Sequence, residues 1–359
     1  MRILALVTEA FGGRGGIAQY NRDLIEALAT GPAPAQVEVL PRLAPDPPDG
    51  LPGRVRQHPA TFSRPLYALR GLLLAWRLRP DLVFCGHLYM APLAAIAARL
   101  TRARLAVQLH GIEAWAVPPA AQRRAVESAD LVLCVSRDTR RRVLAWSGLA
   151  PERVVVLPNT VGEAFTPGEA APMRARLGLA GESVLLSVGR LDARERYKGH
   201  DKVIALLPRL IQARGPLVYV VVGDGADRPR LEALARDAGV AAHVRFLGQA
   251  PANDLPGLYR AADVFVLPSA GEGFGIVYLE AMACGTPAVG LAAGGALDAL
   301  GDGDLGAAVE QEALGETILA ALAAPRGERA RHDLAQRTRD RFGGSAFRDL
   351  ARAILKRAA

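Results

Sequence analysis

Two glutamates eight positions apart, Glu272 and Glu280, carry the most pointed chemistry in the sequence. Both lie in PSAGEGFGIVYLEAMACGTPAVG, from Pro268 to Gly290, with Glu272 in a glycine-rich loop after the run DVFVLP. Gly273, Phe274 and Gly275 are expected to open a helix through Glu280 to Cys284, closed by Gly285 and Pro287. Glu280 then stands about two turns beyond the helix start. A carboxylate accepts hydrogen bonds from vicinal hydroxyls on two oxygens, so one acid can meet a sugar and the other a ribose. The plainer alternatives are a helix-dipole partner for Glu272 and an exposed helix residue for Glu280.

Arg190 in SVGRL and Lys198 in RYKGH add two cations, a planar fork and a compact charge that together suit a diphosphate. Most such side chains are simply solvated, yet Lys198 is one of three lysines in a chain that otherwise uses arginine. Gly12-Gly13-Arg14-Gly15-Gly16 follows the first apolar run and leads into IAQYNRDLIEALA, where Ile17, Tyr20, Leu24 and Leu28 keep helical spacing. Such a turn can bring backbone N–H groups to an anion, or serve tight packing alone. It is neither GxGxxG nor a Walker A loop. Asp302-Gly303-Asp304 spells a pattern able to hold a divalent cation, but it sits among turn residues without further converging oxygens, so no metal is expected there.

These loops must be held by strands. ILALV near the start, VEVL from Val37, DLVFC from Asp81, LAVQL from Leu105, DLVLCV from Asp130 and RVVVLP from Arg153 alternate with helical stretches. The second half repeats the pattern with SVLLSVG from Ser183, LVYVVVG from Leu217, HVRFLG from His243, DVFVLP from Asp263 and PAVGL from Pro287. The expectation is an α/β chain with two doubly wound parallel sheets in tandem, its ligand at the C-terminal ends of the strands. A hinge is placed in PNTVGEAFTPGEAAP, Pro158 to Pro172, and the proline-rich stretch Pro41 to Pro52 reads as an exposed loop.

Length and charge narrow the class. A chain of 359 residues favours two domains, and Cys85, Cys134 and Cys284 are too few and too scattered for a disulfide framework or a zinc site. The opening MRILALVTEA is too short in apolar residues for a secretory signal, and the uncharged run between Asp81 and Arg99 falls short of a membrane span. The net charge of +8 lies wholly in the first half: residues 1–160 hold 20 Arg and no Lys against 12 acids. Arg54 to Arg104 includes nine arginines and one acid, a field suited to anionic lipid or a phosphorylated acceptor. Within it, LYALRGLLLAWRLRP places Leu69, Leu72, Leu73 and Trp76 on one helical stripe flanked by Arg70, Arg77 and Arg79, while Tyr67, Leu74 and Leu78 on the far side suit packing on a sheet. Only 5% aromatic content leaves few stacking platforms, so nucleic acid is not an expected partner.

Taken together, the motifs resemble the retaining glycosyltransferases of family 4 (glycosyl transferases group 1), end to end. The glycine-rich first loop, LHG at Leu109–Gly111, PN at Pro158–Asn159, GR then KG, VVGDG at Val221–Gly225, RFLG at Arg245–Gly248 and above all EGFGIVYLE carry the likeness. The resemblance implies a GT-B fold, two Rossmann-like domains facing each other across a cleft: 1–163 for the acceptor, 164–340 for the nucleotide sugar, and a helix in 341–359 that can pack back on the first domain. It implies that Glu272 binds the donor sugar, Glu280 the ribose, Arg190 and Lys198 the diphosphate, and that His110 lies beside the donor sugar. Gly15 and Gly16 would meet the phosphates, and Phe274, Gly275, Ile276 and Val277 would contribute contacts near sugar and phosphates. His110 by itself reads as an ordinary core histidine; the likeness alone singles it out.

The implied reaction transfers a hexose from GDP-mannose or a UDP-hexose to a hydroxyl of a lipid-linked, glycolipid or polysaccharide acceptor, without metal or other cofactor. A cytoplasmic location follows, peripheral on the inner face of the plasma membrane if the arginine-rich half meets lipid. Thr160 after the Asn, Asp298 after Gly294-Gly295, and Arg194, Glu195 and Arg196 lengthening the Arg-to-Lys spacing depart from the usual pattern and bear on donor choice. Two rivals stand beside this reading: a sugar-nucleotide 2-epimerase of the same fold, and a non-catalytic protein binding membrane or nucleic acid.

Overall fold

A computed structural model describes residues 1–48, 50–324 and 327–358. Strands β1 (Arg2–Val7), β2 (Gln36–Pro41), β3 (Val55–Gln57), β4 (Leu82–Cys85), β5 (Arg104–Leu109), β6 (Leu131–Cys134) and β7 (Val154–Val156) form a sheet in the order β3-β2-β1-β4-β5-β6-β7. A second sheet takes β8 (Ser183–Val188), β9 (Leu217–Val222), β10 (Val244–Gly248), β11 (Val264–Leu267), β12 (Ala288–Leu291) and β13 (Ala307–Val309) in the order β10-β9-β8-β11-β12-β13. Neighbouring strands pair in parallel throughout. Parallel strands covered on both faces need apolar side chains without alternation, which is why Ile3 to Val7 and Leu217 to Val222 are unbroken runs and all buried.

The two doubly wound α/β sheets are thus present. The sequence pattern omits β3 and β13: each has three residues at or next to a sheet end, and VRQ and AAV offer no bulky apolar run to announce a strand. Strand order reverses between β1 and β4 in one sheet and between β8 and β11 in the other. Loops leaving these strands diverge to opposite sides and open a crevice at the carboxyl ends, the place where doubly wound sheets take ligands.

The chain divides into two compact units, Met1–Thr160 with Gly344–Ala359, and Val161–Gly343. These divisions lie three residues from the 163/164 and 340/341 boundaries read from sequence. The helix Gly344–Ala358 is part of the first unit. Its Phe347 meets Tyr20 edge to face at 5.8 Å, and Arg352 donates to the carbonyls of Ala27 at 3.0 Å and Thr30 at 2.8 Å. Within the second unit, Val161 N donates to Phe342 O at 3.0 Å, so the entering and leaving segments lie side by side.

The proline-rich loop does more than cover surface. Asp46 N donates to Gly12 O at 3.0 Å, and Arg14 donates to both Asp46 carboxylate oxygens at 2.8 and 2.9 Å, which ties this loop to the glycine-rich turn. All three cysteines are buried free thiols. Among the described residues no helix is long and apolar enough to cross a membrane.

Candidate functional site

In the second unit the loops after β8 and β11 converge. β8 ends into Gly189 and Arg190; the chain then makes a 3-10 segment, Ala193–Lys198, before the helix His200–Arg214. Gly199 joins the two with φ +76°, and a Cβ there would lie 2.4 Å from Pro268 O, so only glycine fits this close approach to the end of β11. Ala270 N donates to Tyr197 O at 2.9 Å, strapping the 3-10 segment to the loop that carries Glu272. From the other side Gly295 N donates to Glu272 O at 2.8 Å.

Held this way, Lys198 Nζ donates to Glu272 Oε1 at 3.1 Å although 74 positions separate them. Arg190 ion-pairs with Glu195, whose other carboxylate oxygen lies 3.9 Å from Lys198 Nζ. The structure therefore brings Arg190, Lys198 and Glu272 into one cluster of alternating charge. Glu195 completes it, a residue that the sequence marks only as part of the lengthened Arg-to-Lys spacing.

Gly275 caps the helix Ile276–Ala283 with φ +95°, and a Cβ would meet the Tyr278 ring at 2.6 Å. The helix starts at Ile276 rather than at Gly273, because that left-handed glycine keeps the preceding residues out of helical geometry. Glu280 consequently stands about one turn into the helix, not two. It is not the freely exposed helix residue of the plainer alternative. Tyr259, itself fully buried, donates to its Oε2 at 2.6 Å, and burial pushes the Glu280 carboxyl up to about 7 in spite of that bond. Phe274 is taken up by packing, its ring edge to face with Phe342 at 5.7 Å. Ile276 and Val277 remain half-buried in the first helical turn.

In the first unit, Gly15 caps the helix Gly16–Ala29 without any side-chain hydrogen bond, and open space surrounds the Cβ positions of Gly15 and Gly16. The turn is braced from behind: Arg22 donates to the carbonyls of Ala10 and Gly13 at 2.9 and 2.8 Å, and Asn21 to that of Glu9 at 2.8 Å. First-turn N–H groups thus remain available to an acceptor. His110 follows β5. Its ring meets Tyr20 of the same helix edge to face at 5.3 Å, and its backbone N–H donates to Glu113 at 2.5 Å. Burial depresses the imidazole's pKa, so the ring is neutral at pH 7. Nε2 lies 3.0 Å from Gly86 O, and a carbonyl only accepts, so the proton belongs on Nε2 and the Nδ1 lone pair is left to accept from a hydroxyl.

Asp302 adopts φ +57° within the turn Gly301–Gly303, and its carboxylate is 3.9 Å from Arg341. Among the described residues no group of three or more His, Cys, Asp or Glu side chains converges as a metal site.

The two units match two family models in turn: residues 14–164 that of Glycosyltransferase Family 4, and residues 171–341 that of Glycosyl transferases group 1. The GDP-mannose-dependent alpha-(1-6)-phosphatidylinositol monomannoside mannosyltransferase of Mycolicibacterium smegmatis is 36% identical over 275 residues, covering 72% of this chain and 71% of that protein. The D-inositol 3-phosphate glycosyltransferase of Geodermatophilus obscurus is 39% identical over 53% of this chain and 44% of its own length. Among solved structures, sucrose-phosphate synthase from Thermosynechococcus elongatus superposes with a TM-score of 0.79 over 99% of both chains at 24% identity, a likeness of fold.

Proposed function

This chain belongs to the family 4, group 1 glycosyltransferases with the GT-B fold, and from that premise we propose that it is a retaining, metal-independent hexosyltransferase using GDP-mannose or a UDP-hexose. The observation that carries the reading is the Lys198–Glu272 pair with Arg190 beside it at the strand ends of the second sheet. Arg190 and Lys198 hold the donor diphosphate and neutralise it as it leaves, Glu272 accepts from sugar hydroxyls, and Glu280 accepts from the ribose. Within the second unit the backbone from Phe274 to Val277 offers N–H groups to the donor; within the first, Gly15 and Gly16 offer N–H groups to an anion and His110 an acceptor at Nδ1.

In the proposed step the acceptor oxygen attacks the anomeric carbon on the face the diphosphate leaves. The C–O bond to phosphate breaks as the new one forms, and the acceptor proton passes to a phosphate oxygen. The protein supplies position and charge rather than a covalent nucleophile. The donor named for the M. smegmatis relative supports GDP-mannose among the candidates. Nucleoside diphosphate is expected to appear only when an acceptor is added, at an undiminished rate in EDTA. Conversion of the nucleotide sugar to its C2 epimer without acceptor would indicate epimerisation instead, and loss in EDTA restored by manganese would make Asp302 and Asp304 metal ligands.

A lipid-linked acceptor is supported by the helix Arg64–Leu78. It buries Tyr67, Gly71 and Ala75 inward, with Leu72, Leu74 and Leu78 packed on the same core, yet leaves Leu66, Leu69, Leu73 and Trp76 exposed, Trp76 by 67%. Leu72 thus leaves the expected stripe and Leu66 joins it. The neighbouring helix Ala91–Thr101 adds exposed Ile96 and Leu100. Arg77, Arg79, Arg99 and Arg102 are exposed on these two helices and their C-terminal ends, whereas Arg70 is tied to Thr61 and to Pro59 O. Apolar side chains ringed by arginines fit an anionic bilayer. The intact chain is expected to sediment with anionic but not neutral vesicles at low salt, and to lose this when Arg77, Arg79 and Arg99 become Gln. If it stays in solution with both, the acceptor is soluble.

A further inference from the structure

The 3-10 segment between Arg190 and Lys198 contains Arg194, Glu195 and Arg196, and its two arginines are already committed. Arg194 donates to Asp192 at 2.8 and 3.0 Å, and Arg196 to the buried Asp227 at 2.8 Å. Glu195, lying between them in sequence, pairs with neither. Its side chain turns inward, 14% exposed, and one carboxylate oxygen engages Arg190. The other is buried, receives no hydrogen bond and faces Lys198 Nζ at 3.9 Å. An anionic oxygen left without a donor in a nearly closed position is costly, and it persists only where a cation nearby compensates.

We propose that Glu195 is a built-in stand-in for the donor's phosphates, seated on the two cations until a diphosphate enters and displaces it. The inference rests on the assignment of Arg190 and Lys198 to the diphosphate. Bridging two cations with one carboxylate reproduces, with a side chain, what one phosphate group would do between them. Glu272 also contacts Lys198, but it retains a use for the sugar once the diphosphate arrives; Glu195 has none and must yield. Its presence holds the two cations beside one another and competes with stray anions for them. It also loosens the hold on the product diphosphate, because the carboxylate competes to return.

The test is binding of inorganic pyrophosphate and of nucleoside diphosphate to the full chain, wild type against Glu195→Gln and Glu195→Ala, by calorimetry at fixed ionic strength. Both variants are expected to bind both ligands about tenfold tighter, since removing one charge a few ångströms from the ligand in a partly screened site is worth about that factor. Product inhibition of transfer should strengthen by the same factor, while affinity for the phosphate-free nucleoside stays level. Unliganded melting temperatures of the variants should match the wild type, as the segment's other pairs are untouched. Unchanged or weaker pyrophosphate binding in both variants overturns the proposal, and weaker binding would mark Glu195 as a positioning residue for Arg190 and Lys198. If the wild type binds neither ligand, the diphosphate assignment itself fails. If the wild type binds and Lys198→Ala weakens it while Glu195→Gln does not tighten it, only this inference fails.

Discussion

Glu272→Ala is expected to lower transfer turnover by roughly 10²–10³ without weakening the binding of nucleoside diphosphate, the scale of losing one preorganised contact to developing charge. The carboxylate is fixed from three directions: its backbone oxygen by Gly295, its loop by the Tyr197 carbonyl, and its Oε1 by Lys198 at 3.1 Å. That fixation suits the proposed role, since an oriented acid would meet sugar hydroxyls with little reorganisation. Removing it frees Lys198 from one of its two acidic neighbours, so bare diphosphate affinity should hold or rise. Steady-state turnover alongside calorimetry of the product separates the two effects. A variant that turns over at the wild-type rate, or one whose whole defect is in diphosphate binding, would remove Glu272 from the sugar site.

Lys198→Ala should weaken nucleoside diphosphate binding by about 1.5–3 kcal/mol, the range for a lost charged hydrogen bond, and by more than Arg190→Ala does. The difference follows from burial. Lys198 is 14% exposed and stands between Glu195 and Glu272, whereas the Arg190 side chain is 77% exposed. Deleting the lysine withdraws a poorly screened charge and leaves two carboxylates facing an incoming polyanion. Deleting the arginine withdraws a charge that solvent and salt already attenuate. Titrations at low and high salt should show the Arg190→Ala deficit shrinking with salt and the Lys198→Ala deficit persisting. Equal deficits with equal salt dependence would contradict the geometry of the cluster.

The α/β class, the parallel strands and the position of the glycine-rich loops were legible locally, because a strand covered on both faces must be apolar along its length and its exit loop must turn sharply. Runs such as ILALV and LVYVVVG therefore announce themselves, while VRQ and AAV, which join sheets with almost no apolar run, do not. EGFGIVYLE was equally legible as a motif, but not the start of its helix, which depends on Gly275 at φ +95° against the Tyr278 ring. Partnerships across the chain were beyond reach of spacing. Lys198 meets Glu272 only because Tyr197 and Ala270 share a backbone hydrogen bond, and Glu280 acquires its raised pKa from burial with Tyr259 as its donor, 21 positions away. Glu195 is the sharpest instance. In sequence it is an acid flanked by two arginines, and only the folded segment, by sending those arginines to Asp192 and Asp227, turns it toward Arg190 and Lys198. Local patterning sets which residues lie in strands and turns, because that depends on near neighbours; the choice among competing charges depends on distances that exist only once the sheets have assembled.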